Sequence, residues 1–219
     1  MGRKRKDFTR KSGVRDATLF VIATEGEVTE KQYFETLVSK EHYFSTRVHV
    51  EIMPTTDGKS APNKVLARLD DFRKEYNLRR DDELWVVVDR DRRSWTIQAM
   101  AEAQQRCRQK GYTFGLTNPC FEFWLLLHVE DPADYSEETI EDIRTNRKHK
   151  RRSYCERRLR DRLGTYNKSN PDIVPFMPHV TSAIDRNRAL TQNGEVDLFN
   201  RLGSSLDILV ERLIEQAAK

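Results

Sequence analysis

Residues Leu84-Trp85-Val86-Val87-Val88-Asp89-Arg90-Asp91 constrain this chain more than any other stretch. A run of apolar residues, three of them valine and one tryptophan, ends abruptly in two aspartates one residue apart. A continuous apolar run of this length is short of helix length and reads as a strand covered on both faces. Side chains two apart on an extended backbone share a side, at roughly 6–7 Å between Cα atoms. In open α/β sheets, ligands gather beyond the carboxyl ends of strands. Asp89 and Asp91 are thus placed to present two carboxylates to one crevice, and hard divalent cations take oxygen ligands of that kind. A lone Asp after a strand usually caps the next helix. Two on one side, with neither Gly nor Pro between them, favour a metal role.

The same pattern occurs upstream. Thr18-Leu19-Phe20-Val21-Ile22-Ala23 is the expected first strand, and it stops at Thr24-Glu25-Gly26-Glu27. Gly26 permits a turn or a close backbone approach there. Thr29 and Gln32 match a capping box, and Tyr33, Phe34, Leu37 and Val38 mark one face of the helix it opens. Glu25 therefore belongs at one strand tip, and Asp89 and Asp91 at another. Glu30, in the helix's first turn, suits the helix dipole, but its place beside the strand tip also makes it a candidate for the crevice.

Val48, Val50 and Ile52 alternate with His49 and Glu51, the pattern of a half-buried strand. The loop from Pro54 to Pro62 holds no Gly-rich phosphate-binding motif. Asn63 is the expected cap of a second helix with Val65, Leu69, Phe72 and Tyr76 on its apolar face. Arg90, Arg92 and Arg93 surround the aspartates, either to neutralise a phosphate or as surface residues in ion pairs. Ile97, Met100, Ala101, Gln104 and Cys107 trace a third helix, and Tyr112 to Leu116 a short strand. After Asn118-Pro119 comes an almost wholly apolar helix containing one acid, Glu122, and ending near His128. A carboxylate there is costly unless it is paired or binds a cation, so Glu122 is a further site candidate. His128 reads as a satisfied buried histidine. Strand then helix, four times over, implies an α/β fold with right-handed crossovers and a mostly parallel sheet.

Charge is segregated along the chain. Residues 1–15 carry +6 and residues 144–162 carry +8 out of a total of +4, so the rest carries −10. An acidic body with two basic segments suits a protein that holds cations in one place and polyanions in another. A single basic run is as often a solvated face. The chain divides into a basic arm, residues 1–16, with little to bury; an α/β core, residues 17–130; and a basic helical extension, residues 131–219. This extension ends in a helix on Leu206, Leu209, Val210, Leu213 and Ile214 that is expected to pack back on the sheet. No apolar run approaches the ~20 residues of a membrane span. Cys107, Cys120 and Cys155 form neither a zinc spacing nor a disulfide framework, which suits a reducing cytoplasm.

The acid-Gly element Glu25-Gly26 after one strand, with Asp89-x-Asp91 after a later one, resembles the Toprim fold of primases, type II topoisomerases and overcoming-lysogenization-defect (OLD-like) nucleases. The longer set is more similar still to the RloB-like family: Glu25 to Glu30, Asp89-Arg90-Asp91, and the block from Asn118 through Glu122 to His128. That resemblance spans most of the chain. It implies a Toprim-like nuclease of restriction or anti-phage defence loci, whose relatives work beside an ABC-type ATPase and in some cases cut tRNA. It assigns the metal acids to Glu25, Asp89 and Asp91, with Glu122 a fourth catalytic acid. A homo-oligomer is compatible with it. With no Walker A motif here, the ATPase would be a separate partner. Topoisomerase and primase activities are not expected, because these residues include neither the nucleophilic-tyrosine module of the one nor the zinc and polymerase parts of the other.

The expected chemistry is phosphodiester hydrolysis with Mg²⁺, for which Mn²⁺ can substitute, and with Glu27 or Glu30 orienting the attacking water. Lys148, Lys150, Arg151, Arg152, Arg157 and Arg158, with Arg92 and Arg93, are the candidate contacts to the nucleic-acid backbone, RNA being favoured over DNA. Tyr154 and Tyr166 are candidates for base stacking or for the core. The rival is a non-catalytic subunit that binds nucleic acid or regulates the ATPase. An aspartyl-phosphate hydrolase is disfavoured, because its Asp-x-Asp would end the first strand and here it ends the third.

Overall fold

The computed structural model describes residues 5–9, 17–55, 61–91 and 95–217. The chain runs β1 (Lys6–Asp7), β2 (Thr18–Thr24), α1 (Thr29–Leu37), β3 (Val48–Met53), α2 (Pro62–Glu75), β4 (Tyr76–Asn77), β5 (Glu83–Asp89), α3 (Ile97–Lys110), β6 (Thr113–Asn118) and α4 (Phe121–Val129). A helical half follows: α5 (Glu137–Thr145), α6 (Tyr154–Leu163), α7 (Val180–Thr191), a short β7 (Gly203–Ser204) and α8 (Leu206–Ala217). The main sheet has the order β3-β2-β5-β6-β7; its first four strands are parallel and β7 is antiparallel to β6. This is the α/β arrangement expected from the alternating runs, and it is consistent with a Toprim-like fold.

The apolar runs are continuous because both faces of the sheet are covered. Phe20, Ile22, Trp85 and Val87 face the cluster built from α1, α4 and the helical half, while Leu19, Val21, Ala23, Val86 and Val88 face α2 and α3. Every residue of α4 from Phe121 to His128 is buried. A helix apolar all round must be covered all round, and α4 lies against β6, α6 and α7. The helical half therefore shares one core with the sheet. The terminal helix α8 packs on β6, β3 and α7, as its spacing predicts.

Local boundaries differ from the sequence reading at four places. Thr29 is the first residue of α1 and not its cap; its hydroxyl donates to the Lys168 carbonyl at 3.3 Å. Helix α2 starts at Pro62, whose fixed φ and missing N–H suit that position, so Asn63 lies within the first turn and accepts from Arg106 at 2.8 Å. The helix that Ser136-Glu137-Glu138 is expected to start, running into the basic block at 144–162, does not continue through it. Asn146 ends α5 in the left-handed conformation (φ 43°), Lys150 and Arg151 turn the chain with φ of 47° and 71°, and Ser153 reopens a helix with a capping box to Glu156. Finally, part of the basic arm is docked: Lys6–Asp7 pairs with Tyr76–Asn77, and the Phe8 ring packs on His49, Phe72 and Tyr76. One aromatic side chain gives this otherwise polar segment something to bury.

Candidate active site

The sheet order places the acids. From β2 the chain goes through α1 to β3 on one side, then back through α2 on the opposite face to β5 on the other side. The connections leaving β2, through α1 to β3, and leaving β5, through α3 to β6, run over opposite faces to opposite neighbours, and so leave a crevice between those two strands at their carboxyl ends, where α/β folds bind ligands. Glu25 follows the last residue of β2 and Asp89 ends β5.

The two tips are tied together. The Glu25 N–H donates to the Val87 carbonyl at 2.8 Å, and the Glu25 carboxylate accepts the Asp89 N–H at 3.0 Å. Glu30 folds back from α1, and its Oε1 accepts the Gly26 N–H at 3.0 Å. A Cβ on residue 26 would overlap the Glu30 carboxylate, so any other residue there requires Glu30 to move off the Gly26 amide. Burial pushes Glu25 up to about 7, with repulsion from Glu30 and Asp91 adding to it and the Asp89 amide opposing it. Glu30 is raised by burial and then by Glu122, against the pull of Lys168. Asp89 is held well above the usual range by desolvation and by Glu25, Glu30 and Glu122. Carboxyls from separate segments therefore crowd one place and resist full ionisation together.

Glu122 stands in the first turn of α4 and is buried, with Oε1 2.8 Å from the Lys168 ammonium. Burial is the largest influence and would raise it, but Lys168, the Cys120 side chain and a backbone hydrogen bond together hold it below the ordinary carboxylate range. Asp89, Asp91, Glu122, Lys148, Lys168 and Arg144 line one cavity of about 450 Å³. Arg151 and Arg152 line an adjoining cavity of about 270 Å³ that shares Lys168 with the first. The structure thus brings together Glu25, Glu30, Asp89, Asp91 and Glu122, with Lys148, Arg151 and Arg152 on their rim.

Other candidates are occupied elsewhere. The guanidinium of Arg90 donates to the carbonyls of Phe199 and Trp95, both at 3.0 Å, and so ties down the strand end. Arg158 pairs with buried Glu130 at 2.6 Å and lies over the Tyr135 ring. Arg157 donates to the carbonyls of Arg147 and Arg152 and lies over Tyr154, so it braces the 147–152 turn. Lys150 is exposed on that turn. Tyr166 is buried in the core and Tyr154 packs against it, which leaves neither a free stacking platform. Glu27 is exposed just past the β2 tip. His128 is a core histidine between Tyr33 Oη (3.1 Å) and the Trp124 carbonyl (2.9 Å), as expected. Arg92 and Arg93 lie outside the described residues.

Two residues were missed in the sequence. Lys168 sits in a turn of Asn and Ser residues and carried no pattern. Glu130 marks only the end of the α/β core in the sequence, yet it gathers Arg158, Arg162 and the Tyr135 hydroxyl. Only a pairing between distant segments distinguishes either of them.

The oxygen donors suit a hard divalent cation, and the reluctance of Glu25, Glu30 and Asp89 to ionise is what such a cation would relieve. Among the described residues, no three His, Cys, Asp or Glu side chains are already arranged to hold a metal ion. The acids are neighbours without being closed into a cage.

The model of the RloB-like protein family matches residues 20–213. The chain belongs to the RloB-like family. The match runs from β2 into α8, so the family's span includes the helical half as well as the sheet. No curated protein and no solved structure matches the chain. Among the described residues, no helix of this RloB-like protein is long and apolar enough to cross a membrane.

Proposed function

We propose that this RloB-like protein is a metal-dependent nuclease that hydrolyses phosphodiester bonds of nucleic acid in anti-phage defence, under the control of a separate ABC-type ATPase. The observation that carries this is the crowding of Glu25, Glu30, Asp89 and Glu122 at the crevice between β2 and β5, beside a cationic rim on the same cavity. Acids in one place and cations a few ångströms away fit a divalent ion and a phosphodiester together. RNA, including tRNA, is favoured over DNA on the resemblance to defence-locus Toprim proteins.

Glu25, Asp89 and Asp91 would hold Mg²⁺ or Mn²⁺, which when bound supplies acidity to the attacking water and charge stabilisation at the leaving oxygen. Glu30, fixed by the Gly26 amide, is placed to orient that water. Lys148 and Lys168 face the cavity and neutralise phosphate charge, and Arg151 and Arg152 continue the cationic path.

The test is cleavage of total tRNA, single-stranded RNA and plasmid DNA by the pure protein, with and without Mg²⁺ or Mn²⁺, alone and with the neighbouring ATPase. Asp89→Asn should lower metal-dependent cleavage at least 100-fold while leaving oligonucleotide binding in place. Equal cleavage by Asp89→Asn overturns the proposal. The second reading, a nucleic-acid-binding or ATPase-regulating subunit, draws on the absence of a closed metal cage among the described residues. It predicts binding without cleavage in every combination.

A further inference from the structure

A second cationic cavity lies at the other end of the sheet. It has a volume of about 300 Å³, and its walls include Arg5, Arg73, Arg79, Arg80 and Lys110, with Tyr76, Leu84 and Tyr112 as apolar surface. These five cations come from four segments: the residue just before β1, α2, the turn after β4, and the end of α3. Docking of β1 against β4, with Phe8 inserted among Phe72, Tyr76 and His49, is what delivers Arg5.

The acids nearby are already engaged. Asp82 lines the cavity, held by the N–H groups of Leu19 at 3.0 Å and Arg79 at 2.7 Å, and sets one negative charge against the five cations. Asp70 pairs with Lys110 at 2.9 Å and accepts the Tyr112 hydroxyl at 3.0 Å. Arg73 donates to the Lys110 carbonyl at 2.7 Å and lies over the Tyr112 ring, so its position is fixed. The lining keeps a positive excess in a concavity, where low-dielectric walls concentrate the field. A solvated charge run along one helix face would not converge this way.

We propose that this cavity is a second phosphate-binding site, which grips the backbone of a nucleic acid away from the acids. The inference rests on the nucleic-acid reading above. From Leu84 to Asp89 the sheet spans about 16 Å at the rise of a strand, about five nucleotides at the 3.4 Å rise of a stacked strand and fewer if the strand is extended. One polynucleotide can therefore touch both ends of the sheet.

The test uses full-length protein carrying Asp89→Asn, with EDTA present, so that nothing is cut. The probe is a fluorescein-labelled 20-nucleotide single-stranded RNA, followed by anisotropy between 50 and 300 mM KCl. Arg79→Ala with Arg80→Ala should weaken binding about ten-fold and flatten the slope of log K against log salt by about 1.4, for two phosphate contacts on a single strand. Arg79→Lys with Arg80→Lys, which keeps the charge, should retain most of the binding. Affinity and slope unchanged in the alanine pair overturn the proposal. So does displacement of the RNA by poly-glutamate at equal charge, which would assign the cavity to an acidic protein partner. Weakening by Lys148→Ala but not by the arginine pair keeps the substrate site and removes this one. Tight binding that needs both, without cleavage by the unsubstituted protein and its ATPase, keeps this site and removes the nuclease reading.

Discussion

Lys168 shows how one residue sets the electrostatics of a site it does not flank in sequence. Its ammonium answers Glu122 and eases the raised Glu30 and Asp89. Its side chain is 51% exposed, so the pair is not fully desolvated. Breaking a fully buried pair costs about 3–5 kcal/mol, and with one partner half in water Lys168→Ala should cost about 1–2 kcal/mol. Glu122→Gln in the Lys168→Ala background should recover part of that, because it removes the stranded charge. Urea denaturation of the two variants checks the order; equal midpoints contradict it. His128 gives a pH signature. Burial pushes it down to about 3, against an ordinary value of 6.5. The folded state thus binds fewer protons, so stability present above pH 6.5 falls as pH drops toward 3, by up to about 1.4 kcal/mol per unit. Glu25, raised to about 7, acts oppositely, adding stability as pH falls from 7 toward 4.5. Comparing unfolding midpoints of the protein and of His128→Asn at pH 7, 6 and 5 isolates the histidine. Parallel profiles would show that it carries no such linkage.

At the scale of elements, the rim of the cavity depends on a break between helices. Asn146 stops α5, and its side chain also accepts the Cys155 N–H at 3.0 Å and donates to Cys120 Sγ at 3.2 Å. Ser153 and Glu156 then open α6 with a reciprocal capping box. Between the two helices the turn carries Lys148 to the acids and Arg151 and Arg152 to the neighbouring cavity. Ser153→Ala should cost about 1 kcal/mol and should weaken oligonucleotide binding more than a change of similar cost in α8, such as Ile208→Gly at an exposed helix position. Anisotropy at matched fractions folded tests this; equal binding losses would separate the cap from the rim. The sequence showed the basic residues but not this break, because left-handed Asn, Lys and Arg have no reliable pattern.

At the scale of the whole molecule, one apolar cluster runs from α1 and the sheet through α4 to α8. A half that contributes Phe176, Val180, Leu209 and Leu213 to the sheet's own core has no separate core to melt. Unfolding followed by far-ultraviolet dichroism and by tryptophan fluorescence should coincide in a single transition. Two separated transitions would show that the helical extension folds independently. The acids and the proposed second phosphate site lie at opposite ends of this one body, which holds their separation fixed.

The amino-acid sequence by itself determined the alternation of strands and helices, because strands covered on both faces must be apolar throughout. It also determined which acids stand at strand tips, since an apolar run that ends in carboxylates marks its own end. The tertiary structure alone decided the strand order that sets Glu25 against Asp89, the pairing of Lys168 with Glu122 and the withdrawal of Arg158 to Glu130. Those outcomes depend on which distant segments share a dielectric environment, and local periodicity carries no record of that.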